Sequence, residues 1–268
     1  MTIAELMRTG GIDAVDVRVL LRAALGVGDV YLIAHDRDEL TIAQAEKFRA
    51  LAARRAAGEP VAYIVGEREF YGHTFAVTPA VLIPRPETEL LVELALARNP
   101  QRVLDLGTGS GCIAISIALA RPAAQVMALD QSAAALAVAR GNALRLNARN
   151  VAFQTSDWFS AVANQFFDVI VSNPPYVAAS DPHLTQGDLL HEPPAALAAG
   201  ADGLADIRII TASAPTHLVP GGWLLFEHGY DQASRCRELL LHAGFREVQS
   251  WRDLAGIERA SGGRVASL

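Results

Sequence analysis

Cysteine is scarce: Cys112 and Cys236 are the only two in 268 residues. They lie far apart and in no paired metal-ligand spacing, which excludes a disulfide framework, points to no zinc site and suits a reducing cytosol. No run is apolar enough for the roughly 20 residues that a membrane-spanning helix requires. Met1 to Gly11 interleaves Glu5 and Arg8 with its apolar positions and lacks the continuous apolar core of a signal peptide, so the expectation is a cytoplasmic chain with no membrane partner. Positive charge is also short: 23 Lys and Arg stand against 29 Asp and Glu, a net charge of −6. That balance argues against affinity drawn mainly from a phosphate backbone, and no direct nucleic-acid partner is expected. With 51% hydrophobic and 19% charged residues, the chain reads as globular. Its length suffices for one large domain, or for a small one joined to a medium one.

From Ile3 to about Gly58 apolar residues recur at helical spacing, as in Val17, Leu20, Leu21 and Leu25, broken at Gly10-Gly11, Gly26-Val27-Gly28 and Leu40-Thr41. This predicts three or four short helices, a helical domain over residues 1–66. Next, Arg68 to Tyr71 and Thr74 to Val77 flank Gly72-His73, a β-hairpin that serves as a linker over 67–80. From 81 to 268 strands alternate with helices, which implies a mostly parallel α/β sheet with helices on both faces. The strands are Arg102 to Leu106, Gln125 to Leu129, Val151 to Gln154, Phe167 to Ser172 and Gly222 to Glu227. Helices fall at Gly111 to Ala120 and Ser132 to Leu146, and a late pair, Phe245 to Trp251 and Gly256 to Ala260, makes an antiparallel end. The segment Val177 to Leu204 fits no regular period and is longer than most structural loops, which marks it as a binding loop.

Two motifs carry chemistry. In the first, the apolar strand Val103-Leu104-Asp105-Leu106 runs into Gly107-Thr108-Gly109-Ser110-Gly111 and then a helix. Such a turn lets a ligand approach the backbone, and the helix start offers unpaired N–H groups. Asp130 ends the next strand, where its carboxylate can accept from two ribose hydroxyls. A dinucleotide fingerprint needs G-x-G-x-x-G, but Cys112 occupies the place of its third glycine, which disfavours NAD. After the third strand come Asp157, a hydrogen-bonding carboxylate, and Trp158, a flat apolar ring; ordinary core packing is one reading of Trp158.

The second motif, Asn173-Pro174-Pro175-Tyr176, follows the strand ending at Ser172, at the edge where open α/β sheets place their chemistry. Two prolines stop the ladder and fix the backbone, leaving the Pro174 carbonyl as an acceptor; the Asn173 side-chain oxygen is a second. Two fixed acceptors suit an NH2 group on a flat system, against which Tyr176 can lie. The histidines, His183, His191 and His228 among them, are not at ligand spacings and read as surface or capping residues, so no metal is expected.

The G-x-G-x-G loop preceded by Asp105 resembles the first motif of class I methyltransferases, which implies S-adenosyl-L-methionine as cofactor and a Rossmann-like sheet of seven strands. Asn-Pro-Pro-Tyr alone does not separate adenine N6 methyltransferases from those acting on glutamine amides. Together with Leu82-Ile83-Pro84-Arg85-Pro86-Glu87-Thr88-Glu89, Asp181-Pro182-His183-Leu184, Gly203-Leu204 and Glu227-His228-Gly229, it closely resembles the release factor glutamine methyltransferase family. The resemblance implies transfer of a methyl group to N5 of the glutamine in the Gly-Gly-Gln loop of peptide chain release factors 1 and 2, leaving S-adenosyl-L-homocysteine. It further implies that Gly107, Thr108, Gly109, Ser110, Gly111, Asp130, Asp157, Trp158 and Asn173 contact the cofactor. Asn173, Pro174, Pro175 and Tyr176 would hold the glutamine, and the helical domain of a monomer would dock the protein substrate. Arg85, Thr88 and Glu89 either border the cofactor pocket or start a helix. Two rivals stand beside this reading. A nucleic-acid adenine methyltransferase would need a basic groove, and a non-catalytic binding module would show a broken glycine loop or a missing Asn, whereas both are intact.

Overall fold

A computed structural model describes residues 1–8 and 11–267. Its contacts divide the chain into two units, Met1–Glu67 with Gln186–His191, and Arg68–Thr185 with Glu192–Leu268.

The first unit is helical: α1 (Ile3–Met7), α2 (Ala14–Leu25), α3 (Asp29–Ala34), α4 (Ile42–Ala56) and α5 (Val61–Val65). Thr2 with Glu5, and Thr41 with Gln44, form reciprocal capping boxes that satisfy the free N–H groups opening α1 and α4. Asp13 caps α2, and Gly26 closes it in the left-handed conformation. The apolar face of α2, Val17, Leu20 and Leu21, is buried against Leu6, Leu32, Phe48 and Ile64. Each such side chain contributes about 1.5–3 kcal/mol by leaving water. Among the described residues four helices fall between Ile3 and Gly58, within the three or four that periodicity suggests there; α5 lies beyond that stretch, starts after Pro60 and is too short, at five residues, to show a period.

The hairpin strands are β1 (Glu67–Phe70) and β2 (His73–Ala76). Its turn is Tyr71-Gly72, one residue earlier than the expected Gly72-His73, because Tyr71 and Gly72 both take positive φ (50° and 72°), as the tight two-residue hairpin turn demands. Phe70 and Phe75 pack edge to face in the core of the second unit. Then follow α6 (Glu89–Ala97), β3 (Arg102–Leu106), α7 (Cys112–Ala120), β4 (Gln125–Asp130), α8 (Ala133–Leu146), β5 (Val151–Thr155) and β6 (Phe167–Ser172). The chain ends with α9 (Ala205–Ser213), β7 (Leu218–Glu227), α10 (Ala233–His242), β8 (Arg246–Arg252) and β9 (Glu258–Arg264).

These strands form one seven-stranded sheet in the order β5-β4-β3-β6-β7-β9-β8, parallel except where β9 pairs antiparallel with β7 and β8. One apolar layer, with Leu91, Val92, Ile113, Ile117 and Ala143, covers one face through α6 to α8; a second, with Ile207, Ile210, Cys236 and Leu240, covers the other through α9 and α10. This is the expected class I methyltransferase architecture. β7 begins four residues before the expected Gly222, and β9 lies later than 256–260, since glycines at 221, 222, 262 and 263 hide strand that is set by pairing rather than by side chains. Between residues 177 and 204 the chain is not featureless: it makes three 3-10 turns, Pro182–Thr185, Gly187–His191 and Pro194–Ala196. Among the described residues no helix is long and apolar enough to cross a membrane.

Candidate active site

The carboxyl ends of β3, β4 and β6 open on a cavity of about 430 Å³. Parallel pairing in register puts Leu106 beside Leu129 and Ser172, so the segments that follow these strands emerge together. Its wall holds Gly107, Thr108, Gly109 and Ser110 of the glycine loop, Asp130, Asp157, Trp158, Asn173 and Pro175.

The loop is shaped by groups beneath it. Thr108 donates its hydroxyl to Asp105 at 2.6 Å and its backbone N–H to the Leu129 carbonyl at 2.9 Å. Burial pushes the Asp105 carboxyl up to about 7, although the Thr108 hydrogen bond opposes this. Asn142, fully buried, donates to the Ser110 and Ala76 carbonyls and accepts from Ala76 N–H, tying the loop to β2. Asp130 accepts from Gly109 N–H through one oxygen and from Ser132 N–H through the other, both at 2.9 Å. A carboxylate offers about four lone-pair directions, so each oxygen keeps capacity for a ligand hydroxyl. Trp158 holds a left-handed backbone (φ 44°), with its carbonyl accepting from Ser156 Oγ at 2.7 Å. Its half-buried ring packs on the core cluster and also lines the cavity, so both readings of this residue apply.

Three of the expected site residues lie off the cavity wall. Gly111 instead lets α7 and α8 approach: a methyl group there would sit 2.8 Å from Ile115 Cδ1 and 3.1 Å from Ala139 Cβ. Pro174 is buried behind Asn173 and Pro175, and Tyr176 points its hydroxyl 3.0 Å from Glu227 rather than into the cavity. Asn173 donates Nδ2–H to Thr88 Oγ1 at 3.2 Å, and Thr88 donates to Glu227 at 2.6 Å. Burial raises Glu227 to about 7, while hydrogen bonds from Thr88 and Tyr176 pull the other way; burial beside Glu227 also holds the Tyr176 phenol well above its ordinary value.

Two further residues line the cavity: Arg85, which the sequence left between pocket border and helix start, and Asp206, to which it gave no role. Arg85 lines it and grips both oxygens of buried Glu192 at 2.7 and 2.8 Å, which fixes the start of the Pro193–Ala196 stretch that also faces the cavity. Asp206, at the start of α9, lines it too, its carboxyl raised by burial and by Asp157. The signal for Glu227 was faint: one carboxylate ending the apolar run Leu224-Leu225-Phe226. His228, read as a surface or capping residue, is fully buried; its ring nitrogens lie 2.8 Å from Ser261 Oγ and from the Gly229 carbonyl, partners that explain how a polar ring is accommodated there. His183 does behave as expected, exposed and paired with Asp181.

Comparison with known proteins fits this geometry. Residues 86–203 match the family model of the methyltransferase small domain, and residues 3–66 match that of the PrmC N-terminal domain. The release factor glutamine methyltransferase of Bordetella pertussis is 55% identical over 264 residues, covering 97% of each chain. That of Escherichia coli is 45% identical over 252 residues, covering 93% of this chain and 91% of the other. Among solved structures, a methyltransferase from Pyrococcus furiosus is similar in fold, with a TM-score of 0.57 at 20% identity over 84% of this chain and 99% of that one. With a methyltransferase sheet, a cavity where the glycine loop meets Asn-Pro-Pro-Tyr, and near-full-length relatives at this identity, the chain belongs to the release factor glutamine methyltransferase family.

Proposed function

We propose that this enzyme methylates the side-chain amide nitrogen, N5, of the glutamine in the Gly-Gly-Gln motif of bacterial class 1 peptide chain release factors, with S-adenosyl-L-methionine as donor. One observation carries the reading: Asn173 and the glycine loop with Asp130 face the same cavity, so an amide acceptor and an adenosine-containing donor can meet there.

The residues present fit that cofactor. Asp130 has free acceptor capacity beside Gly109, Trp158 offers an aromatic face, and the loop leaves room, since a methyl group built on Gly109 would meet no atom within 4 Å. Gly107 to Ser110, Asp130, Asp157 and Trp158 would hold it. When bound, it supplies a methyl group on a positively charged sulfur.

The chain's own contribution is orientation. Asn173 keeps Nδ2 on Thr88, which leaves Oδ1 as an acceptor, and no described residue donates to the Pro174 carbonyl. Each would take one N–H of the glutamine amide and turn the face of its nitrogen toward the methyl group, a near-attack arrangement with the reacting atoms about 3–3.5 Å apart. The N–C bond forms as the S–C bond breaks, and the nitrogen then releases one proton to solvent. N5-methylglutamine and S-adenosyl-L-homocysteine remain. Residues 1–66 serve as the docking domain for the release factor, 67–80 as linker and 81–268 as the catalytic domain.

The test incubates the full chain with cofactor and a release factor carrying Gly-Gly-Gln or Gly-Gly-Ala, read by mass spectrometry. One added methyl on the glutamine, absent from the alanine variant, supports the reading. An unmodified factor, under conditions where the cofactor binds, refutes it.

A further inference from the structure

The tetrapeptide that would hold the substrate amide is moored at both ends to one carboxylate on the neighbouring strand. In the β6–β7 register Ser172 lies beside Phe226, so Asn173 and Glu227 leave the sheet side by side. At one end Tyr176 donates its hydroxyl to Glu227 Oε1 at 3.0 Å. At the other, Thr88 stands between Glu227 Oε2 (2.6 Å) and Asn173 Nδ2 (3.2 Å). Thr88 and Glu227 are only 2% and 1% exposed, so water does not substitute for either. Thr88 sits at the N-cap of α6, yet its side chain makes no capping hydrogen bond; its hydroxyl is committed elsewhere.

With Glu227 ionised, above about pH 7, the polarity of this chain is forced. A threonine hydroxyl has one proton and two lone pairs. The short contact to a carboxylate takes the proton, so Thr88 can offer Asn173 only a lone pair. Asn173 must answer with its NH2 group, and its carbonyl oxygen is the end left for a ligand. A side-chain amide without such a partner can rotate by half a turn and present donors instead, which a substrate NH2 cannot use.

We propose that Glu227, acting through Thr88, is the positioning residue that fixes which end of the Asn173 amide faces the substrate, and so makes the site one for N–H donors. The proposal rests on the reading that Asn173 accepts from the glutamine amide. Burial of Glu227 in a low-dielectric setting strengthens both of the hydrogen bonds it receives.

The test compares Thr88→Val, which keeps shape and removes the hydroxyl, with Thr88→Ser, which keeps the hydroxyl, and with Glu227→Gln and the Thr88→Val/Glu227→Gln double variant. In single-turnover methylation of a release factor, Thr88→Val is expected to be slower by about tenfold or more, with the cofactor Kd within about threefold of wild type, and Thr88→Ser is expected to recover most of the rate. Glu227→Gln should slow the reaction as well, and the double variant should be no slower than the slower single one, since both act along one chain. A readout on the unloaded protein is independent of turnover. The Nδ2 protons of Asn173, assigned by their loss in Asn173→Asp, should exchange with water faster in Thr88→Val than in wild type or Thr88→Ser. Wild-type rate in Thr88→Val, equal damage in Thr88→Val and Thr88→Ser, or additive losses in the double variant would each overturn the proposal. If Thr88→Val does not fold, Glu227→Gln with unchanged rate and unchanged Asn173 exchange overturns it alone. Failure of the wild-type enzyme to methylate any glutamine is a separate result and strikes the proposed function instead.

Discussion

Gly203→Ala should damage both the fold and the chemistry, through a carbonyl group that no one would pick from the sequence. Gly203 has φ +71°, and a methyl group there would collide with the Tyr176 carbonyl oxygen and approach Gln232 Nε2 to 2.7 Å. Those two atoms are themselves partners, with Gln232 donating to Tyr176 O at 2.9 Å. Left-handed backbone costs a non-glycine residue about 1–2 kcal/mol. Overpacking against backbone adds roughly 1–3 kcal/mol, and a lost hydrogen bond about 0.5–1.5 kcal/mol. Alanine also stiffens the unfolded chain, which offsets about 0.4–1 kcal/mol. A net destabilisation of about 1.5–6 kcal/mol is expected. The assay is urea unfolding followed by tryptophan fluorescence. Trp158, Trp223 and Trp251 are the chain's three tryptophans and all lie in the sheet unit, so the signal reports that unit alone. Single-turnover methylation should fall too, because displacing Tyr176 loosens its hydroxyl from Glu227. A loss below about 1 kcal/mol with an unchanged rate would refute the reasoning, since the neighbours would then have yielded freely.

Three further outcomes follow from the site. Asn173→Ala should reduce the methylation rate far more than it weakens cofactor binding, measured by single turnover and calorimetry; equal losses in both would assign Asn173 a structural role. Asp130→Asn turns one N–H acceptor into a donor facing Gly109 or Ser132, and the cofactor Kd should rise by about 10- to 100-fold, given about 1.5–3 kcal/mol for hydrogen bonds to a charged group. Glu227, raised by burial from 4.5 to about 7, keeps its proton in the folded chain over a range where the unfolded chain has lost it. Stability therefore falls as pH rises from about 4.5 to 7 and levels off above. Glu87 adds to this shift, while Thr88, Tyr176 and Arg259 oppose it. Glu227→Gln removes that titration, so its stability relative to wild type should improve between pH 5 and 8 by up to about 3 kcal/mol. A pH-independent difference in denaturation midpoints would contradict it.

What could be read in advance follows the range of the interactions. β3, β4 and β6 were visible because each is an apolar run ended by a residue with turn or site chemistry, and α8 because Ser132 caps it at the expected place. The glycine loop, Asp130 and Asn173 were legible because their chemistry is local: strand, turn, ligand-facing end. Glu227 was not, since its partners Thr88 and Tyr176 are 139 and 51 residues away. His228 failed for the same reason: Ser261, 33 residues on, is what makes its burial tolerable. The hairpin turn was misplaced by one residue because Tyr71 takes a conformation that side chains of its kind seldom adopt.

The alignment of Ser172 with Phe226 makes strand phase, and not only residue identity, a condition for activity. Side chains along a strand alternate between faces, so one residue inserted or deleted between Trp223 and Phe226 would swing Glu227 to the opposite face of the sheet and leave Thr88 and Tyr176 without their acceptor. The irregular pairing between Phe167 and Val169, opposite Leu218 to Trp223, lies upstream of that stretch and can absorb a change in length there. Length variation in β7 is accordingly tolerable before Trp223 and ruinous after it, even when every named side chain is kept.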